Sequence, residues 1–239
     1  MEKIIHRAGS RGHANHGWLN SYHSFSFAEY YDPERINFGA LRVLNDDTVA
    51  PGRGFGAHPH QNMEIISIPL QGSLLHQDSM GNKTVINTGD VQIMSAGSGI
   101  THSEHNASDK EPVQFLQIWL FPKLQNIKPR YDQVSLQEKD RLNKLQLIVS
   151  PDGANGSITI NQQAWFYISK LDKEKELSLT LQQHANGLYI FVLDGSVQTA
   201  EENLSRRDGI GLTGITTLAI TSTTGCEILL MEVPMYSGG

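Results

Sequence analysis

Hydrophobic positions in this chain are gathered into short runs, separated at close intervals by Gly, Asn, Asp and Pro. Runs at 39–44, 64–70, 84–86, 91–94 and 115–121 are rich in the β-branched and aromatic side chains that suit a pleated, half-buried surface. Turn residues stand between them at Asp46-Asp47, Pro51-Gly52, Gly81-Asn82, Thr88-Gly89-Asp90 and Gly97-Ser98-Gly99. Many short strands joined by Gly- and Pro-rich turns predict an all-β sandwich or barrel. A second series of the same kind runs from near Leu145 to Val233.

Between the two series the texture changes. Ser135-Leu136-Gln137-Glu138 has the Ser-x-x-Glu spacing of a helix capping box, and a charged stretch follows to Lys144. The pattern predicts an N-terminal β domain over 1–134, a short helical linker over 135–144 and a C-terminal β domain over 145–239. The halves also read as weak repeats of one unit. Ile68-Pro69-Leu70-Gln71-Gly72-Ser73-Leu74 resembles Phe191-Val192-Leu193-Asp194-Gly195-Ser196-Val197, and Gly89-Asp90-Val91 has a counterpart in Asp208-Gly209-Ile210.

Composition narrows the function classes. With 239 residues, 38% hydrophobic and 18% charged, the chain has apolar side chains enough for one large β domain or two ordinary ones. A formal charge of −6 disfavours a non-specific grip on nucleic acid, which needs a basic face. The single cysteine, Cys226, excludes an intrachain disulfide and reads as a small apolar residue near the last strand. No apolar segment follows Met1-Glu2-Lys3, and no run approaches the roughly 20 apolar residues that span a bilayer. The expectation is a cytoplasmic monomer with no membrane contact.

Two histidine-rich stretches carry the candidate chemistry. In an extended strand, side chains two residues apart share a face. His58 and His60 of His58-Pro59-His60 therefore project together, and so do His102 and Glu104 of Ile100-Thr101-His102-Ser103-Glu104-His105-Asn106, while Ser103 and His105 point the other way. Three neutral imidazoles and a carboxylate suit a borderline divalent ion and leave positions open for water or substrate. Glu64 is the rival carboxylate. On a straight strand it would lie about 13 Å beyond His60, so it needs a turn at Gln61-Asn62 to fold back, whereas Glu104 needs none. Parity favours Glu104 as the ligand, with Glu64 supporting the site from behind or capping a turn.

Combined, these pieces resemble the two motifs of the cupin superfamily: Gly52-x5-His58-x-His60-x3-Glu64-x7-Gly72, then Gly89-x9-Gly99-x2-His102-x3-Asn106. Ser95 stands where a proline is usual, and Gly72 falls one residue late. Within that superfamily the chain is similar to the pirin family. The likeness is carried by Gly17-Trp18-Leu19, His23-Ser24-Phe25-Ser26-Phe27, Tyr30-Tyr31-Asp32-Pro33, Phe38-Gly39-Ala40-Leu41-Arg42-Val43, Pro51-Gly52-x-Gly54-Phe55 and Ala96-Gly97-x-Gly99-Ile100-x-His102-Ser103-Glu104. The C-terminal half is more weakly similar to the bacterial pirin-like group, notably at Ser150-Pro151-Asp152-Gly153.

The resemblance implies a bicupin, two jelly-roll β-barrels, with one divalent metal in the N-terminal barrel. Pirin-like proteins bind iron or another divalent metal through three histidines and a glutamate, which on the matching positions are His58, His60, His102 and Glu104. Iron(II) is the foremost expectation, with nickel, copper, manganese or zinc as alternatives. Several pirin-like proteins show quercetin 2,3-dioxygenase activity, which implies a flavonol substrate and dioxygen, with Glu104 as the proton acceptor. The animal pirin acts as a transcriptional coregulator, which implies the alternative of a metal- or redox-dependent module that docks a protein partner.

The remaining histidines have plainer expectations. His105 points outward, and His23 and His76 read as hydrogen-bonded structural residues that could otherwise line the pocket or orient ligands. His6, His13 and His16 are expected at the surface. His184 has no second histidine beside it, so the C-terminal barrel is expected to be metal-free. Phe25, Phe27, Phe38 and Phe55 are candidates for gripping a flat substrate, with a core role equally open to each.

Overall fold

The computed structural model describes residues 1–235, so 236–239 of the expected second domain lie outside the described residues. Strands dominate, as the hydrophobic runs predict, and they build two β-barrels. In the first, a four-stranded sheet runs in the order Gly54–His60, Ile100–Asn106, Ser73–Asp78, Lys83–Asn87. It faces a seven-stranded sheet ordered Arg130–Ser135, Asp90–Ser95, Glu64–Gln71, Val113–Leu120, Leu41–Val49, Leu19–His23, Gly12–Asn15. The second half forms one sheet built on two long strands, Asn186–Thr199 and Thr217–Pro234. Register shifts between Val192 and Asp194, and between Gly195 and Val197, let that long pair bend from one wall to the other.

Strand alternation divides the seven-stranded sheet into two environments. Along Leu41–Val49, Leu44 faces the second barrel, while Asn45 and Asp47 take partners inside the first. Leu44, Ile66, Ile68, Leu116 and Ile118 meet Ile148, Phe166, Phe191, Leu229 and Met231 of the second half in one buried cluster. Each such side chain contributes about 1.5–3 kcal/mol on leaving water. Phe25 and Phe38 belong to this cluster, 1% and 7% exposed, so they are core rather than substrate-gripping residues. The second barrel fills its own interior with Leu188, Ile190, Val192, Ile210, Ile228 and Leu230.

Polar contacts also cross the junction. Asp46, on the Leu44 face, accepts hydrogen bonds from Arg207 Nε at 2.8 Å, Arg11 Nη1 at 3.3 Å and Gln114 Nε2 at 3.1 Å. All three ionic side chains are buried. Glu64 accepts the Asn161 backbone N–H at 3.1 Å and the Ser95 hydroxyl at 2.8 Å, which ties the two halves together. The chain's first strand is an exception to the division read from sequence: Glu2–His6 pairs with Gly209–Thr213 in the C-terminal sheet. His6 is consequently buried rather than at the surface, 2.8 Å from the Tyr189 hydroxyl and edge-on to Phe25.

The repeat is visible in matching turns. Gly72 and Gly195 occupy the same left-handed backbone region, φ 74° and 73°, between successive strand segments. Asn87 N–H bonds Asp90 Oδ2, and Ser205 N–H bonds Asp208 Oδ2, so Arg207 stands where the first copy has Gly89. Both residues before the aspartates have positive φ, 93° for Gly89 and 69° for Arg207. The structural match is therefore Gly89-Asp90 with Arg207-Asp208, one residue earlier than the sequence likeness suggested. Between the barrels the helix is a single turn, Glu138–Arg141. Ser135 ends the preceding strand and donates to Asp90 Oδ1 at 2.5 Å, so the capping box does not form.

Two stability tests follow from this junction. Asp46→Ala leaves buried Arg207 and Arg11 without their carboxylate, and is expected to cost about 3–5 kcal/mol in urea unfolding. Burial lowers the His6 pKa from 6.5 to about 4, with Arg35 adding to the shift and Asp32 opposing it. The unfolded chain takes up this proton first, so the stability His6 maintains is full above pH 6.5 and lost as pH falls toward 4. His6→Gln is expected to flatten that part of the urea-midpoint profile against pH.

Candidate metal centre

The site is built on one strand and its two neighbours. Along Ile100–Asn106 the residues Ile100, His102, Glu104 and Asn106 are buried, and Thr101, Ser103 and His105 are not. Parity thus places His102 and Glu104 inward and His105 outward. On one edge His102 lies opposite His58, and on the other Glu104 lies opposite His76. Between those pairings the Gly54–His60 strand carries an extra residue, since His102 pairs with His58 but Glu104 with Phe55. This bulge lets the Gly56 carbonyl meet His58 Nδ1 at 2.7 Å, which leaves Nε2 as the free ring nitrogen. Gly54 lies against the Glu104 carbonyl and the His105 backbone, where a Cβ would have no room.

His58, His60 and His102 converge: their ligating nitrogens lie within 4.8 Å of one another, with ring centroids 4.5–4.9 Å apart. Glu104 is not in that group. Its oxygens, with nitrogens of His76 and His102, form a second cluster within 4.8 Å, so His102 is common to both. Glu104 spans the barrel: Oε1 accepts from Ser67 Oγ at 2.9 Å and Oε2 from Gln117 Nε2 at 2.6 Å, both on the opposite sheet. Trp119 Nε1 donates to the Gln117 amide oxygen at 3.2 Å, which turns the amide nitrogen toward Glu104. Glu64 lies on the other face of its strand, at the junction between the barrels.

The electrostatics leave lone pairs free. Burial lowers His102 to about 3, assisted by His58, His60 and His76 and opposed by Asp78. Burial, then His58, lowers His60 to about 4. Both rings are neutral at pH 7, and His60 Nε2 and both nitrogens of His102 are buried without a hydrogen-bond partner. Unpaired buried nitrogens carry a desolvation cost that a bound cation removes. Deeper in the barrel, burial raises Asp47 to about 7, with Asp46 and Glu104 adding to the rise and the Ser21 hydroxyl opposing it. The donor set, three imidazoles with a carboxylate in the same barrel, fits a borderline divalent ion.

A cleft of about 410 Å³ opens beside His60, Gln61, Ser79, Gly99 and Thr101, within the size range of small-molecule sites. An aromatic wall adjoins the histidines: Trp119 packs edge-on to His60 at 4.9 Å and to Phe27 at 5.4 Å. Phe27 is thus the aromatic candidate that lies beside the site, whereas Phe55 packs on Trp18 in a separate small core. His23 bonds Asn45 Oδ1 at 2.9 Å as a structural residue. His76, for which the sequence left a structural and a pocket-lining role open, bonds Asp78 Oδ2 at 3.2 Å and lies in the second cluster with His102 and Glu104. Its signal was the period-two pair His76-x-Asp78, and that of Gln117 was Gln117-x-Trp119, both facing inward.

Comparison with known proteins agrees with this architecture. The family model for Pirin matches residues 5–120, and the one for the quercetinase C-terminal cupin domain matches residues 147–233. The chain is 42% identical over 230 residues to a quercetin 2,3-dioxygenase of Escherichia coli K12, covering 96% of this chain and 98% of that one. It is 39% identical to a pirin-like protein of Caulobacter vibrioides, covering 92% and 95%. Among solved structures, the nickel(II) complex of the bacterial pirin YhhW from Escherichia coli superposes with a TM-score of 0.93 at 40% identity, over 98% of this chain and all of that one. The two family models, matched in sequence, and the likeness along nearly the whole chain lead to one conclusion: the chain belongs to the pirin family, as a pirin domain followed by a quercetinase-type C-terminal cupin domain.

Proposed function

We propose that the protein is a metal-dependent dioxygenase that opens the central ring of a flavonol such as quercetin. The observation that carries this reading is the convergence of three imidazoles with unpaired nitrogens beside a carboxylate gripped from the opposite sheet. The relatives named quercetin 2,3-dioxygenase support it. In this reading His58, His60, His102 and Glu104 hold one divalent ion, iron(II) foremost and nickel, copper, manganese or zinc otherwise. The 1–134 segment carries the metal and the 145–239 segment does not. The protein works as a cytoplasmic monomer. Among the described residues no helix is long and apolar enough to cross a membrane.

The metal, when bound, supplies a Lewis acid that lowers the pKa of the flavonol 3-hydroxyl. Glu104 takes the proton of that hydroxyl. Ser67 and Gln117 each hold one of its oxygens, so the carboxylate meets the substrate in a fixed orientation. Trp119 and Phe27 offer a flat apolar wall beside His60 that seats the aromatic substrate and keeps water from the reacting ring. The deprotonated flavonol is electron-rich enough to combine with dioxygen, and ring opening releases carbon monoxide.

Metal-loaded protein is expected to take up oxygen and release carbon monoxide with quercetin. Absence of both would end this reading. His102→Ala and Glu104→Ala are each expected to lose metal, measured by elemental analysis, and activity together. Full metal with no activity in Glu104→Ala would make that residue the base alone. Gln117→Leu removes one of the two clamps on Glu104, and is expected to reduce metal affinity or kcat by about 10- to 100-fold.

A further inference from the structure

His102 is shared by two groups of ligating atoms, and the inner one is fully buried. His76, His102 and Glu104 are 0%, 3% and 2% exposed, and their ligating atoms lie within 4.8 Å of one another. His76 Nε2 stands 3.2 Å from Asp78 Oδ2. A carboxylate only accepts, so in the neutral ring the proton sits on Nε2 and Nδ1 is the nitrogen with a lone pair to offer. That Nδ1 is buried and has no partner. An imidazole oriented by a carboxylate through one nitrogen, with the other free, is the arrangement that metal-binding histidines adopt.

The other members complete the set. Both nitrogens of His102 lack partners. Each Glu104 oxygen accepts one hydrogen bond, from Ser67 or Gln117, and keeps a lone pair for a further partner. Charge also distinguishes the two groups. The His58–His60–His102 group contains no carboxylate, and its first two members are only half-buried. The inner group includes Glu104, with Asp78 directly behind His76. A dication that loses water on entering the barrel is better compensated there.

We propose that the divalent ion has a second, inner station in this barrel, held by His76, His102 and Glu104 with Asp78 orienting His76. It shares His102 and Glu104 with the set named under the proposed function, so one ion occupies one station at a time. The proposal rests on the reading of this barrel as a metal centre. It makes His76 a ligand in its own right and not a structural histidine.

The test is titration of the chelator-stripped full chain with cobalt(II), followed by calorimetry and by the visible absorption of the bound ion. Wild type is expected to bind one ion per chain. The double variant His58→Ala/His60→Ala is expected to keep one ion with weaker affinity. Adding His76→Ala to that background is expected to weaken binding at least tenfold further and to change the absorption bands. His76→Gln serves in place of His76→Ala if thermal melting shows that the alanine variant does not fold. A double variant that binds no cobalt, or a triple variant that binds as well as the double, overturns the inner station and leaves the metal centre standing. A wild type that binds none overturns both.

Discussion

Strand Ile100–Asn106 is hydrogen-bonded along both of its edges, and that double pairing is the constraint on which the site depends. A strand anchored on two sides cannot slip by one residue without reversing every side chain. His102 and Glu104 are therefore held inward. The partner strands contribute His58 and His60 from one edge and His76 from the other. All the candidate ligands come from three adjacent strands of one sheet. The opposite sheet supplies the support, through Ser67 and Gln117.

The same alternation explains why the two barrels have different interiors. The seven-stranded sheet of the first barrel turns an apolar face to the second and a mixed face to its own lumen, where Leu19, Val49, Val113 and Phe115 form a small apolar core beside Asn45, Asp47 and Gln117. Its largest core is thus shared with its neighbour, and part of the lumen is left for His, Glu, Asp and Gln side chains. The second barrel fills its lumen with Leu, Ile and Val, and its buried Glu232 is saturated by the backbone N–H groups of Gln182 and Gln183 and by the Asn186 amide. One copy of the unit carries polar chemistry and the other provides apolar support. Buried Asp46 and Arg207, together with Glu64, join them.

Much of this was legible in the sequence where the physics is local. Period-two spacing placed His58, His60, His102 and Glu104 inward and His105 outward, because strand parity needs no tertiary information. The two-barrel organisation was legible in the run-and-turn pattern and in the paired Gly72 and Gly195 turns. Features decided by distant partners were not. His6 looked exposed because its burial depends on the first strand crossing to the C-terminal sheet. Ser135 looked like a helix cap because the competing acceptor, Asp90, is 45 residues earlier. For Phe25 and Phe38 the sequence left a substrate-gripping and a core role open, because the second barrel that covers them is remote in sequence. The place of His76 was left open for the same reason: the pairing that sets it opposite Glu104 joins strands that are not consecutive in the chain.

In the proposed reading, the lumen of the first barrel binds one divalent ion on a set centred on His102. The most direct test is anomalous scattering from crystals of the metal-loaded protein, collected at the absorption edge of the metal. A single strong peak is expected at bonding distance from a His102 nitrogen, and none in His102→Ala. No peak in the lumen, or one that persists unchanged in His102→Ala, would contradict it.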